Sequence, residues 1–139
     1  MSYCGCDPYD APEWMRQKQK VLARKSHVCN ECRCTIRPGE RYEYVVGKWD
    51  GDVLTFKTCE RCVELDLWMS ISYPCFCRMF GSLLEDVHDC VRDIVSDCPP
   101  GFFMEYGRRA IKIRRRSLAD KALRKAAAPS ASERPHDRP

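Results

Sequence analysis

Hydrophobic and polar positions alternate most regularly between Arg41 and Thr58. Tyr42, Tyr44 and Val46 alternate with Arg41, Glu43 and Val45, and the run Val53-Leu54-Thr55-Phe56-Lys57 is rich in β-formers. Asp50-Gly51 lies between the two runs and supplies the positive φ angles that tight hairpin turns need, so the pattern predicts a β-hairpin over 41–58. Pro38-Gly39 marks the turn leading into it.

Elsewhere the period lengthens. Asp10 with Glu13 three residues later reads as a capping box, and Pro12 fits a first helical turn, so a helix is predicted over about 11–25. On it Arg16, Lys20 and Arg24 recur every four residues as one basic stripe. Val63 to Met69 reads as a short helix ending before Pro74. A longer one is expected over about 82–97, with Leu84, Val87, Val91, Ile94 and Cys98 on an apolar face and Asp86, Asp89, Asp93 and Asp97 on an acidic one. Pro99-Pro100-Gly101 stops it, and a final helix is predicted over about 103–127. The segments then divide as 1–26, a CxC loop and basic helix; 27–70, a compact module; 71–127, a CxC turn and a pair of acidic and basic helices packed on that module; and 128–139, a tail too poor in apolar surface to order.

Composition adds two facts. The 139 residues carry a net charge of only +4, but residues 101–139 hold 11 basic and four acidic side chains against 13 and 16 over residues 1–100. Such asymmetry points to an anionic partner or to neutralisation within the molecule. Eleven cysteines in so short a chain point to staples, yet an odd number cannot pair completely. The start Met1-Ser2-Tyr3-Cys4 has neither a basic nor an apolar leader pattern, which predicts a reducing, cytoplasmic setting, and no window is apolar enough to span a membrane.

Cys29-x2-Cys32 and Cys59-x2-Cys62, separated by the hairpin, form two chelating pairs of the kind that close a tetrahedral zinc site. Two-residue spacing lets both thiolates of a pair converge on one ion, and the hairpin returns the chain so that the second pair completes the set. A redox reading of Cys59-Glu60-Arg61-Cys62 leaves Cys29 and Cys32 unexplained. His27 and Cys34 flank the first pair and read as neighbours rather than ligands. Cys4-x-Cys6 and Cys75-x-Cys77 offer four further thiolates for a possible second zinc ion; alternatively they are reduced thiols, or His88 and Cys90 complete a different set. Cys90 and Cys98 fall on apolar helical positions and read as core.

Knuckle, hairpin and helix-borne CxxC resemble the treble-clef zinc finger over about residues 27–70, which implies an α+β fold with additional flanking helices. The stretches His27-Val28-Cys29-Asn30-Glu31-Cys32, Pro38 to Tyr44, Gly47-Lys48-Trp49-Asp50-Gly51 and Thr55 to Cys59 also resemble small uncharacterised zinc-finger proteins of bacteriophages and prophages. That resemblance implies a bacterial cytoplasm and no known activity.

Catalysis finds little footing. Treble clefs with nuclease chemistry need a histidine near the hairpin, and the only histidines are His27, His88 and His136. With no phosphate loop or nucleophile elbow, neither enzymatic activity nor a small-molecule substrate is expected. Two binding roles remain. Arg16, Lys20, Arg24, Arg108, Arg109, Lys112, Arg114, Arg115 and Arg116 would contact nucleic-acid phosphates, with Trp49 at the hairpin tip stacking on a base. Against this, the acidic helix stands ready to neutralise the basic one. The alternative is an adaptor or inhibitor of a host protein, with Tyr42, Tyr44, Trp49 and Trp68 as aromatic anchors.

Overall fold

The computed structural model describes residues 11–73, 76, 78–94 and 98–128. Eight elements follow one another: β1 (Trp14–Leu22), β2 (His27–Val28), β3 (Thr35–Ile36), β4 (Arg41–Trp49), β5 (Asp52–Cys59), α1 (Glu60–Ser72), α2 (Leu83–Asp93) and α3 (Phe102–Ala127). The fold is α+β, with a three-stranded antiparallel sheet in the order β1-β4-β5 and a small antiparallel pair β2-β3.

The hairpin forms as its alternation predicts. β4 and β5 pair from Trp49↔Asp52 to Tyr42↔Cys59 without interruption. Asp50 and Gly51 at the tip have φ values of 49° and 86°, both in the left-handed region that a primed turn requires. Because β4 is the central strand, Tyr42, Glu43 and Val45 are all buried, so both of its faces are covered.

The helix expected over 11–25 is absent; these residues form strand β1. It pairs antiparallel with β4 from Trp14↔Lys48 to Leu22↔Arg41, with a bulge between Lys18 and Val21 at which Lys20 takes φ 56°. Glu13, read as the capping-box acid, instead accepts a hydrogen bond from Gly51 N–H (3.3 Å) and pairs with Lys48 Nζ (2.9 Å). Lys, Gln, Arg and Met are good helix formers, but the open edge of β4 gave this segment a backbone ladder interrupted only at the bulge, and tertiary pairing overrode propensity. Arg16, Lys20 and Arg24 are exposed but form no helical stripe: an unbroken strand would keep positions four apart on one face, but the bulge shifts the register between Lys18 and Val21 and Arg24 lies beyond the end of β1.

α1 is longer than its apolar run and starts directly at the end of β5. It is the hub of the core: Leu65 and Met69 are buried with Ile36, Leu83 and Val87, and Tyr42, Val91, Phe102 and Ile113 close around them. Each buried aliphatic side chain contributes on the order of 1.5–3 kcal/mol. α2 buries Leu83, Val87 and Val91 and carries Asp89 and Asp93 on its exposed side. Cys90 and Cys98 pack partly buried against the core, as their spacing indicates.

The sequence leaves the basic helix either free or neutralised by the acidic one, and among the described residues no such neutralisation is seen. α3 lies on α1, Lys112 reaches Glu64 of α1 (3.6 Å), and no ion pair joins α2 to α3. Position explains this: α1 occupies the centre, so α2 and α3 reach it separately instead of lying along one another.

Candidate metal centre

Two short elements present the first thiol pair. The β2-β3 pair opens into a turn in which Cys29 N–H bonds Cys34 O (2.9 Å) and Arg33 N–H bonds Cys29 O (3.0 Å). Arg33, directly after the second cysteine, takes φ 62°, a left-handed conformation that turns the chain tightly around the pair. Asn30 sets the distance to the second pair. Its N–H bonds Lys57 O (2.8 Å) and its Oδ1 accepts from Lys57 N–H (2.7 Å), clamping the turn onto β5 two residues before Cys59.

The second pair straddles a helix start. Cys59 is the N-cap residue of α1, with φ −66° and ψ 157°, and Cys62 lies in its first turn. Both sulfurs therefore lie at the positive end of the helix dipole, which favours thiolates.

The four Sγ atoms of Cys29, Cys32, Cys59 and Cys62 lie within 4.8 Å of one another, and Cys32 and Cys59 are 3.7 Å apart. Tetrahedral zinc with bonds of about 2.3 Å places its sulfurs about 3.75 Å from each other, so the donor set matches the ion in number, type and spacing. Cys29, Cys59 and Cys62 are fully buried, and none of the four is in a disulfide.

The electrostatics point the same way. Hydrogen bonds from Cys32, Cys59 and Cys62, with the Cys59 N–H at 3.3 Å from the sulfur, hold the Cys29 thiol well below its ordinary range. Those contacts push Cys59 and Cys62 upward, and burial adds to it. A bound divalent cation would let all four thiols ionise, with release of protons. Burial opposes the charge of Arg61, but Cys59, Glu40, Cys32 and Cys34 outweigh it. Its buried Nε and Nη2 have no hydrogen-bond partner among the described residues, and of the cluster thiols Cys59 and Cys32 act on its charge.

His27 and Cys34 are neighbours of the centre, as their positions indicate. His27 Nδ1 lies 3.0 Å from Lys57 Nζ with its ring on Tyr42, and burial and Lys57 lower its pKa. Cys34 Sγ contacts Cys32 O at 3.7 Å, and burial raises its pKa. Cys4, Cys6, Cys75 and Cys77, the possible second set, lie outside the described residues.

A second polar cluster lies behind the first and had no forecast. The Arg78 guanidinium bonds Glu31 (3.1 Å), Asp66 (2.9 Å), Glu43 (3.4 Å) and Thr58 Oγ1 (2.9 Å), and stacks over Phe80. Glu31, inside the first CxxC, also accepts from Gly81 N–H (2.9 Å) and Leu83 N–H (2.8 Å), so it caps α2. Burial raises the Asp66 pKa against the pull of Arg78. One sequence signal was available: Arg78 is the sole Lys or Arg between Arg61 and Arg92.

The candidate anchors and cations divide sharply. Tyr42 is buried, Trp49 packs edge-on against Phe56 and Phe80, and Trp68 lies on Phe102 with Arg109 over its ring. The tip tryptophan is therefore not a free base-stacking group. Arg109 also bonds Glu105 (2.6 Å), and Arg116 is tied to Glu40 (2.8 Å) and Asp120 (3.4 Å), so both guanidinium groups have partners within the chain. Arg108 is exposed and bonds Glu105 (2.8 Å); Arg114 and Arg115 are exposed. Comparisons of the chain with protein-family models, curated proteins and solved structures return no match.

Proposed function

We propose that this is a non-catalytic, zinc-stabilised binding protein of treble-clef type that presents α3 to another protein. The metal part rests on the Cys4 cluster, whose sulfur spacing fits a tetrahedral ion and whose order of knuckle, hairpin and helix start follows that of a treble clef. The ion's role is structural: four protein thiolates fill its coordination sphere and leave no open position for a substrate or water. No histidine lies on the hairpin to act as a base, which supports a non-enzymatic role.

The observation that carries the choice of partner is the solvent-facing side of α3, where Met104, Ile111 and Leu118 are all more than 45% exposed. Contiguous apolar exposure on a rigid element marks protein contacts more often than phosphate contacts. Nucleic acid is the second reading, favoured by exposed Arg114, Arg115, Lys121, Arg124 and Lys125 on the same helix.

Native mass spectrometry tests the first half: the intact chain should carry zinc that a strong chelator removes, and Cys59→Ser should lose one ion relative to wild type. Salt dependence of duplex DNA retention tests the second. Tight retention falling steeply with salt and abolished by replacing Arg114 and Arg115 with Gln would replace the protein reading with the nucleic-acid one.

A further inference from the structure

Within the protein-binding reading, on which this step rests, the outer face of α3 identifies the class of partner. α3 has 26 residues and is about 39 Å long. Phe102, Ile113 and Asp120 mark its buried side, where Arg109 and Arg116 are also held. Diametrically opposite run Met104, Ile111 and Leu118, spaced by seven residues and exposed by 65, 49 and 56%. A seven-residue interval returns to nearly the same face, drifting by about 20° per step, so the three side chains make one straight row about 21 Å long.

The row is flanked by one sign of charge. Arg108 and Arg115 lie along one border, and Arg114, Lys121 and Lys125 along the other, all exposed. The helix has only two acids, Glu105 and Asp120, and both are engaged on or toward the core side, Glu105 by Arg108 and Arg109 and Asp120 by Thr35 N–H, Arg37 and Arg116. At its N-terminal end the row meets a shallow, open recess of about 420 Å³ bordered by Trp68, Ser72, Pro99, Pro100 and Met104.

We propose that this row is the docking seam for an acidic amphipathic helix of a partner protein, which lays its apolar ridge along Met104, Ile111 and Leu118 and sets carboxylates against the two arginine borders. Three alternatives fit less well. A second α3 would place arginine against arginine along the whole contact. The acidic helix α2 of a second copy cannot serve, because its apolar residues Leu83, Val87 and Val91 are buried in its own core. An anionic membrane surface calls for a broad apolar face, and here the apolar row is one residue wide with cations on both sides.

The test uses the full zinc-loaded chain and a synthetic helical peptide of about 20 residues with Leu at every seventh position and Glu on both flanks. A control peptide has the same composition with its leucines dispersed. Fluorescence anisotropy should show the first peptide binding about tenfold or more tighter than the second, and Ile111→Glu should remove that difference. Because Ile111 is exposed, its variant should keep the wild-type circular dichroism and zinc content; Leu118→Glu serves as the second variant.

Equal binding of the two peptides, with neither duplex DNA nor phosphatidylserine vesicles retained, would overturn the seam while leaving a protein partner elsewhere. DNA retention unaffected by Ile111→Glu would overturn both the seam and the protein reading. Retention on vesicles that Ile111→Glu abolishes, or concentration-dependent self-association in ultracentrifugation, would replace the helical partner with a lipid surface or a second copy.

Discussion

Two polar clusters draw on the same three stretches of chain. The knuckle gives Cys29 and Cys32 to the thiol cluster and Glu31 to the carboxylate cluster; the end of β5 gives Cys59 to the first and Thr58 to the second; α1 gives Cys62 and Asp66. The thiol cluster consists of four like groups, whereas the carboxylate cluster has Arg78 built into it. The difference teaches where stability would be conditional. The carboxylates find their counter-charge within the chain, whereas the thiols form a set that could hold a metal ion.

The largest effect should come from breaking the conditional side. Removal of zinc by a chelator, or Cys59→Ser, is expected to abolish the cooperative thermal transition seen by circular dichroism, because structural zinc contributes on the order of 10 kcal/mol of folding free energy. Persistence of a cooperative transition in the metal-free chain would show that the core around Leu65 and Met69 suffices alone.

Breaking the built-in side should cost less. Arg78→Met leaves Glu31, Glu43 and Asp66 buried without their shared cation and should lower stability to urea by about 3–5 kcal/mol while zinc content stays at the wild-type level. Arg78→Lys should recover only part of it, since one ammonium cannot reproduce the fork that serves four acceptors. Zinc loss from Arg78→Met would mean that the two clusters are one unit joined through Glu31.

Smaller still is the tie from α3 to the knuckle. Asp120 Oδ2 accepts from Thr35 N–H at 2.6 Å and its other oxygen meets Arg37 and Arg116, so Asp120→Ala orphans a backbone donor and should cost about 1–3 kcal/mol. Hydrogen exchange should show the loss first at Thr35 and Ile36. An effect confined to α3 would instead place the strain in the helix.

How far each cluster was legible follows from its chemistry. The thiols announce themselves because chelation fixes spacing within a local turn, as CxxC does twice. Asp50-Gly51 and Pro38-Gly39 were equally readable, since the positive φ of Gly39 and Gly51 is a local demand. The partners of Arg78 come from four different segments, at separations from 12 to 47 residues, and no local rule joins them. β1 failed for the same reason: its nine residues read as helix alone and become strand only because β4 offers an open edge. The outer row of α3 was readable as a helix but not as a free surface, because its sequence does not say which side α1 covers.

Apart from the thiol and carboxylate clusters there is a third, partly exposed pair, Glu40 with Arg116, whose balance is set by pH. Burial works against the Glu40 carboxylate, but the Arg37 N–H at 2.8 Å and the Arg116 guanidinium prevail and hold it below its ordinary 4.5. A carboxyl lowered in the folded state adds stability that is fully present above its unfolded value and is lost as pH falls through its folded one. Resistance to urea should therefore fall, as pH drops below the carboxyl's ordinary 4.5, more in wild type than in Glu40→Gln, the two curves converging on the acid side. The separation should be modest, because the pair is partly screened by water. If the curves run parallel at every pH, Arg116 takes its anchorage from Asp120 and Thr35 O alone, and the turn that leads into the hairpin is held to α3 without help from Glu40.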